Sequence, residues 1–262
     1  MRELWDTLID RAGELASKRS ESAGLLNFYR DLLIAQKNIY DRLRSRREWL
    51  PTGELRRDLG VVRSTLPTLL DAVEASGSDQ LAEESRGLRR AAEAEIDGML
   101  LEYWAGPKDA HFFAKALLQP YARWLAETGA KPVDRDLERA ENRCPFCAGK
   151  PQLSVLKIQE PTSEAGGRNL LCSTCLTSWA FKRVICASCG EEHPAKLAYF
   201  TAPEYDYVRV EACDTCACYI KGIDLTRFGL AAPLVDEVAS APLDLWAREH
   251  GYAKIELNLV GI

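Results

Sequence analysis

The sequence predicts an α+β protein, in which an N-terminal all-α helical domain is followed by two tandem rubredoxin-like or zinc-ribbon modules and a C-terminal helix. Three observations lead to this prediction. Apolar residues recur at helical spacing before residue 140, all nine cysteines lie between Cys144 and Cys218, and a last helical pattern runs from Pro233 to about His250. We therefore expect a helical domain, a first and a second metal module and a C-terminal helical segment, with the boundaries 1–140, 141–183, 184–226 and 227–262.

The N-terminal domain is predicted from apolar stripes with a helical period. The clearest stripe runs from Leu25 to Leu43, and charged residues occupy the opposite face. A second helix is predicted from Leu66 to Ala75, and a third follows Ser78 and runs toward Trp104. A further helical run extends from Phe112 to Leu125. It contains Pro120, which must either kink the helix or start a new one.

Four Cys-x-x-Cys pairs divide the following region into two similar halves. The pairs Cys144/Cys147 and Cys172/Cys175 are separated by 24 residues, and the pairs Cys186/Cys189 and Cys213/Cys216 by 23. Corresponding pairs of the two halves lie 42 and 41 positions apart. Short apolar runs, which are typical of strands, follow the first pair and precede the second pair of each half. Two copies of one small metal-binding module explain this repeat best.

Four thiolates at this spacing are the ligand set of a tetrahedral metal site. Four sulfur ligands suit both iron and zinc, so the spacing leaves the metal open. Disulfides and a cross-pairing of Cys172/Cys175 with Cys186/Cys189 are alternatives, although the parallel repeat disfavours the second. Cys218 is left over, either as a small buried side chain or as a reactive thiol beside a metal site. The predicted metal ligands are Cys144, Cys147, Cys172, Cys175, Cys186, Cys189, Cys213 and Cys216.

The composition argues against several other classes of protein. The chain has 34 Lys and Arg against 39 Asp and Glu, and residues 141–220 hold eight basic and nine acidic side chains. This slight excess of negative charge disfavours binding to the phosphates of a nucleic acid. No apolar stretch approaches the length that spans a bilayer, and the N-terminus lacks the apolar core of a secretory signal. We therefore expect a cytoplasmic protein without membrane insertion, whose thiols stay reduced.

No catalytic motif is recognisable. The three histidines stand beside no evident nucleophile and in no metalloprotease helix motif, and no glycine-rich phosphate loop or dinucleotide fingerprint occurs. Nothing in the sequence therefore indicates an enzyme.

Several longer motifs surround the cysteines and continue on both sides of them. These motifs are Cys144-Pro145-Phe146-Cys147-Ala148-Gly149-Lys150-Pro151, Leu171-Cys172-Ser173-Thr174-Cys175 with Trp179 and Arg183, Cys186-Ala187-Ser188-Cys189, Glu211-Ala212-Cys213-Asp214-Thr215-Cys216 with Tyr219-Ile220-Lys221, the upstream Ala116-Leu117-Leu118-Gln119-Pro120-Tyr121, and the downstream Leu243-Asp244 and Gly251-Tyr252. Together they resemble the formate dehydrogenase accessory protein family. The resemblance covers most of residues 110–255, and before residue 110 only the helical pattern agrees. One departure is Ala148, where a glycine is commoner in the family, which implies a slightly altered first turn.

The resemblance implies an assembly and maturation factor and not a catalyst. Members of the family support formation of active formate dehydrogenase, and the resemblance implies binding of that enzyme's catalytic subunit in the cytoplasm. It also implies iron in two mononuclear sites of four cysteines each, with zinc as the alternative. Rubredoxin-like electron transfer is a second hypothesis, because iron in four thiolates is redox-active. Nucleic-acid binding through zinc ribbons is less favoured on charge. The oligomeric state and the client-binding surface are not predicted.

Overall fold

The computed structural model describes residues 4–46, 49–107, 111–135, 138–157 and 167–262. The chain forms two compact units, Met1–Leu137 and Glu138–Ile262. The first unit is helical, and the second combines a sheet, both cysteine groups and two short helices. The predicted α+β fold class is thus confirmed. Over the described residues, no helix has both the length and the apolar character needed to cross a membrane.

The helical unit is built around a long central helix. This helix, α2, is the predicted 25–43 segment, and its apolar stripe packs against α1, α4 and α7. The helix predicted to run toward Trp104 is instead two helices, because Ala91 and Ala92 adopt extended backbone angles between them. The break allows α5 to pack on α4 while α6 packs on α3 and α7. The helices are α1 Leu4–Lys18, α2 Ala23–Arg44, α3 Leu55–Arg63, α4 Leu66–Ser76, α5 Asp79–Arg90, α6 Glu93–Ala105 and α7 Phe112–Thr128.

Helix α7 continues through Pro120, and a buried glutamine explains how. Proline has no N–H, so the carbonyl of Ala116, four residues earlier, loses its partner in the helix. The side-chain amide of Gln36 on α2 donates to this carbonyl at 3.0 Å and to Gln119 Oε1 at 3.0 Å. Gln36 is fully buried, although it occupies a position in an otherwise apolar stripe. The polar residue therefore satisfies a backbone group that the proline leaves free.

Replacing Gln36 by leucine is expected to destabilise the helical unit by about 1–3 kcal/mol, because the Ala116 carbonyl is then buried without a donor. Urea unfolding followed by circular dichroism measures this change. Gln80→Leu, the same replacement on the exposed face of α5, should change stability by less than about 0.5 kcal/mol. Adding Pro120→Ala to Gln36→Leu restores an N–H for the carbonyl and should recover part of the loss. Equal stability of the Gln36 and Gln80 variants would contradict this role.

The two cysteine halves share one seven-stranded sheet, in the order β3-β2-β1-β6-β5-β4, with β7 paired to β6. Each half contributes three antiparallel strands, and β1 pairs with β6 in parallel to join them. In this seam Leu153 lies opposite Lys221 and Leu156 opposite Asp224. The strands are β1 Pro151–Leu156, β2 Arg168–Cys172, β3 Ser178–Ala180, β4 Leu197–Thr201, β5 Val208–Cys213, β6 Cys218–Asp224 and β7 Ala253–Lys254.

The predicted C-terminal helix is two short helices, α8 Pro233–Ala239 and α9 Ala241–Glu249. Pro242 lies in the first turn of α9, where a missing N–H is tolerated, and it prevents α8 from continuing. Both helices cover one face of the sheet, where their apolar residues pack on the strands. This cluster includes Val208, Val210, Tyr219, Ile223, Leu243 and Ala247.

Candidate metal centres

The first cysteine group is assembled by two turns that the hairpin β1–β2 brings together. The turn Cys144–Cys147 precedes β1, Cys172 ends β2, and Cys175 lies in the turn that follows. Their four sulfurs lie within 4.8 Å of one another. The Sγ atoms of Cys144 and Cys175 are 3.5 Å apart, and those of Cys147 and Cys172 are 3.4 Å apart. All four side chains are buried.

The second cysteine group repeats this construction on β4–β6. The turn Cys186–Cys189 precedes β4, Cys213 ends β5, and Cys216 lies in the turn into β6. The four sulfurs again lie within 4.8 Å of one another. Sγ distances are 3.8 Å from Cys186 to Cys216 and 3.8 Å from Cys189 to Cys213. This group is less enclosed, because Cys189 is exposed and Cys216 is half-buried.

The structure thus brings together the eight sequence-predicted ligands in the two sets that the repeat indicates. The cross-pairing between the halves is not formed, and none of the nine cysteines forms a disulfide. Cys218, the ninth, is half-buried rather than buried, and its Sγ lies 3.4 Å from the carbonyl of Cys216. It belongs to neither group of four.

The donor sets fit a single tetrahedral ion in each group. A regular tetrahedron with metal–sulfur bonds of about 2.3 Å has edges of about 3.8 Å, which matches the second group and is slightly larger than the first. Burial raises the pKa of the Cys172 thiol well above its ordinary value and also raises that of Cys186. A bound cation would supply the positive charge that favours thiolates at these positions. Both groups could therefore hold a metal ion, and sulfur donors suit iron and zinc.

The four Cys-x-x-Cys turns share one backbone feature. In each, the residue after the second cysteine has a positive φ: 56° at Ala148, 57° at Leu176, 76° at Gly190 and 51° at Ala217. Such angles favour glycine, yet three of the four positions carry a side chain. The positive φ lets the N–H of this residue bond to the first cysteine of the turn. The N–H of Ala148 donates to the Cys144 carbonyl at 2.8 Å, and that of Gly190 donates to the Cys186 carbonyl at 3.1 Å. Ala148, which departs from the family motif, therefore adopts the same turn conformation as the other three positions.

Ala217→Gly and Gly190→Ala are expected to shift stability in opposite directions, by about 1 kcal/mol each, because a Cβ at positive φ costs about 1–2 kcal/mol and glycine's extra freedom in the unfolded chain offsets part of it. Ala217 is exposed, and a Cβ at Gly190 meets nothing within 4 Å, so packing changes little. Urea unfolding of the metal-loaded protein measures both. Shifts of the same sign would contradict the idea of strain in the turns.

Backbone donors and a glycine complete the surroundings of the sulfurs. The N–H of Thr174 donates to Cys172 Sγ at 3.3 Å, and the N–H of Ser188 donates to Cys186 Sγ at 3.3 Å. Such bonds stabilise the thiolate form. Gly149 leaves the space beside Cys172, because a Cβ there would lie 2.9 Å from its sulfur. The family motifs include this glycine, but the sequence gives no sign of the contact.

Trp179 and Arg183, which belong to the motifs of the resemblance, differ in their burial and contacts. Trp179 is half-buried, donates from Nε1 to the Glu141 carbonyl at 3.2 Å, and packs against a small cluster between the halves that contains Leu170 and Phe181. Arg183 is exposed. The tryptophan is therefore a packing residue of the sheet unit.

The fold and the site define a class of protein with a helical unit and two tandem four-cysteine modules fused into one sheet. Family models for the "FdhE, central domain" and the "FdhE, C-terminal domain" match residues 143–183 and 184–260. A "Protein FdhE homolog" of Aquifex aeolicus is 32% identical over 97% of this chain and 94% of the relative. One from Pseudomonas aeruginosa is 31% identical over 84% of this chain and 69% of the relative. The chain belongs to the FdhE family, which confirms the resemblance to formate dehydrogenase accessory proteins.

A solved structure supports the fold independently. The crystal structure of the FdhE protein from Pseudomonas aeruginosa superposes with a TM-score of 0.72 and covers 99% of this chain and 96% of that one. The identity is 24%, so this likeness concerns the fold alone.

Proposed function

We propose that the protein is an assembly and maturation factor that binds the catalytic subunit of formate dehydrogenase. The observation that carries the proposal is family membership along 97% of the chain together with the assembly of both cysteine groups. The described site also favours binding over catalysis. Four protein sulfurs fill a tetrahedral shell, whereas a catalytic metal needs an open position. Nine cysteines without a disulfide favour the reducing cytoplasm as the compartment.

The eight clustered cysteines are the proposed ligands of two mononuclear iron sites, with zinc as the alternative. Metal analysis and visible absorption of protein purified without reductant or chelator test this assignment. Two irons per chain with thiolate-to-iron charge-transfer bands are expected. Two zinc ions per chain in protein from cells grown with ample iron would change the assigned metal from iron to zinc. A chain without metal would refute both sites. The predicted boundaries at 140, 183 and 226 stay proposals, which limited proteolysis of the loaded protein tests.

Client binding is tested by co-purification. The tagged protein, produced together with a formate dehydrogenase catalytic subunit, should retain that subunit, and so should Gly87→Ala, which changes an exposed helix position. A variant with serine at Cys147 and Cys189 should retain less, because both modules lose a ligand and the order that the metal confers. Failure of the folded, metal-loaded wild-type protein to retain the subunit would refute the proposed function.

Rubredoxin-like electron transfer is the second candidate, and the exposure of Cys189 favours it. An exposed ligand places the centre close to the surface, where a partner can approach. Electrochemistry of the iron-loaded protein should show reversible reduction and reoxidation if the function is correct. An inert or zinc-only protein would refute it.

A further inference from the structure

The two cysteine groups differ in how much protein covers them. In the first group Cys144, Cys147, Cys172 and Cys175 are at most 2% exposed. In the second group Cys189 is exposed and Cys216 is half-buried, whereas Cys186 and Cys213 are buried. The ligand sets are chemically identical, so this difference in cover is what distinguishes the two centres.

The covering residues at equivalent positions explain the difference. In the first group Gly149 lies against the sulfurs, and its Cβ position is 2.9 Å from both Cys172 Sγ and Thr174 Oγ1. In the second group the corresponding residue is Glu191, whose carboxylate accepts from the hydroxyl of Thr215 in the Cys213–Cys216 turn at 2.6 Å. Glu191 is itself only partly covered. Backbone at Gly149 is therefore packed closely against the sulfurs of the first centre, whereas the equivalent position of the second centre carries a partly exposed side chain.

A groove also reaches the second centre from the open face of the sheet. This cavity has a volume of about 420 Å³, and Cys186 and Cys213 form part of its wall. Cys218, which lies directly across the hairpin from Cys213, lines it as well. None of the four cysteines of the first group lines this groove. A ligand can thus approach the second centre from the solvent side at Cys189 and from the groove.

We infer that the two centres have different roles, the first being a permanent structural centre and the second an exchangeable one that accepts an external thiolate ligand. The inference rests on the proposed metal occupancy of both groups. With a metal ion held by Cys186, Cys189, Cys213 and Cys216, an incoming thiol would replace the Cys189 sulfur as ligand and its proton would pass to Cys189. One metal–sulfur bond would form as one breaks, with no change of oxidation state. The geometry gives Cys189 this part because it is the most accessible ligand of the eight.

Chelator competition on the loaded, full-length protein tests the division. With excess 4-(2-pyridylazo)resorcinol, one metal ion per chain should leave at least about tenfold faster than the other, which corresponds to about 1.4 kcal/mol less free energy of opening. Iodoacetamide added after the fast phase should label Cys186, Cys189, Cys213 and Cys216 but leave the first group unlabelled. This readout needs no variant, so it does not depend on a mutant's folding.

A matched pair of variants assigns the phases. Cys189→Ser should remove the fast phase and leave the slow one, and Cys147→Ser at the equivalent position should remove the slow phase. Release of both ions in one phase, or early labelling of the first group, would overturn the inference. A wild-type chain without metal would overturn it together with the metal sites. Co-purification with the client is a separate measurement, so its failure refutes the proposed function and not the division between the centres.

Discussion

Gly149→Ala is expected to reduce the metal content from two ions per chain to about one. The added Cβ would lie 2.9 Å from Cys172 Sγ, 2.9 Å from Thr174 Oγ1 and 3.3 Å from Cys147 Sγ. Contacts this short force one of these atoms to move. Cys172 has little freedom to do so, because it is fully buried and its N–H donates to the Thr177 carbonyl at 3.0 Å. The first group should therefore lose its tetrahedral arrangement.

Metal analysis of the purified variant measures this loss, with urea unfolding as a second readout. We expect a destabilisation of about 3 kcal/mol or more, since overpacking is joined by the loss of a bound ion. Gly87→Ala is the matched control, because its Cβ meets nothing within 4 Å and alanine favours a helix interior by about 0.5–1 kcal/mol. Glu191→Ala at the equivalent position of the second module should keep both ions. A Gly149 variant with two ions and wild-type stability would show that the sulfurs do not need this space.

The local parts of the site could be predicted from the sequence, because a Cys-x-x-Cys turn is fixed by residues close in the chain. The spacing predicted the two groups of four in which the structure brings the eight cysteines together, including the match of Cys144/Cys147 with Cys172/Cys175. The apolar stripe of α2 gave its bounds within a few residues for the same reason. The apolar run Leu153–Leu156, one of the runs typical of strands that follow the first cysteine pair of each half, lies within β1.

Contacts between residues far apart in the chain could not be predicted from the sequence. The parallel seam between β1 and β6 fuses the modules into one sheet, and no local pattern encodes a pairing of residues 68 positions apart, such as Leu153 with Lys221. The helix break at Ala91 and Ala92 was missed because alanine is a strong helix former, so that packing decided against propensity. Gln36 stands in an apolar stripe because it donates to the Ala116 carbonyl that Pro120 leaves free, and this contact forms only when α7 packs beside α2.

The largest departure from sequence expectation is a buried group of charges under the C-terminal helices. Lys221 on β6 is fully buried, and it donates to the Asp244 carboxylate, the Glu237 carbonyl and the Ser240 hydroxyl. Lys254 donates to Glu237 and lies 3.0 Å from Asp244. Burial lowers the pKa of Lys221, while Glu237 and Asp244 act in the opposite direction. Two lysines and two carboxylates thus balance each other in the interior.

Lys221→Met is expected to destabilise the sheet unit by about 3–5 kcal/mol, because one buried partner is removed while Asp244 and Glu237 remain. Burial raises the pKa of Asp244, but Lys221 and Lys254 outweigh it and hold that pKa below its ordinary value, so the variant loses the first of the two cations that stabilise this buried carboxylate. Urea unfolding monitored through release of the metal ions reports on the sheet unit. A separate readout is used because the sheet unit and the helical unit can unfold separately.

Two further variants separate the loss of a charge partner from the loss of a side chain. Lys182→Met removes an exposed lysine and should change stability by less than about 0.5 kcal/mol. Lys221→Met combined with Asp244→Asn removes one charge of each sign and should recover part of the loss, since a buried pair contributes little compared with one unpaired partner. If Lys221→Met alone is as stable as the wild-type protein, the four charges do not hold α8 and α9 on the sheet, and the apolar cluster around Tyr219 and Leu243 must do so by itself.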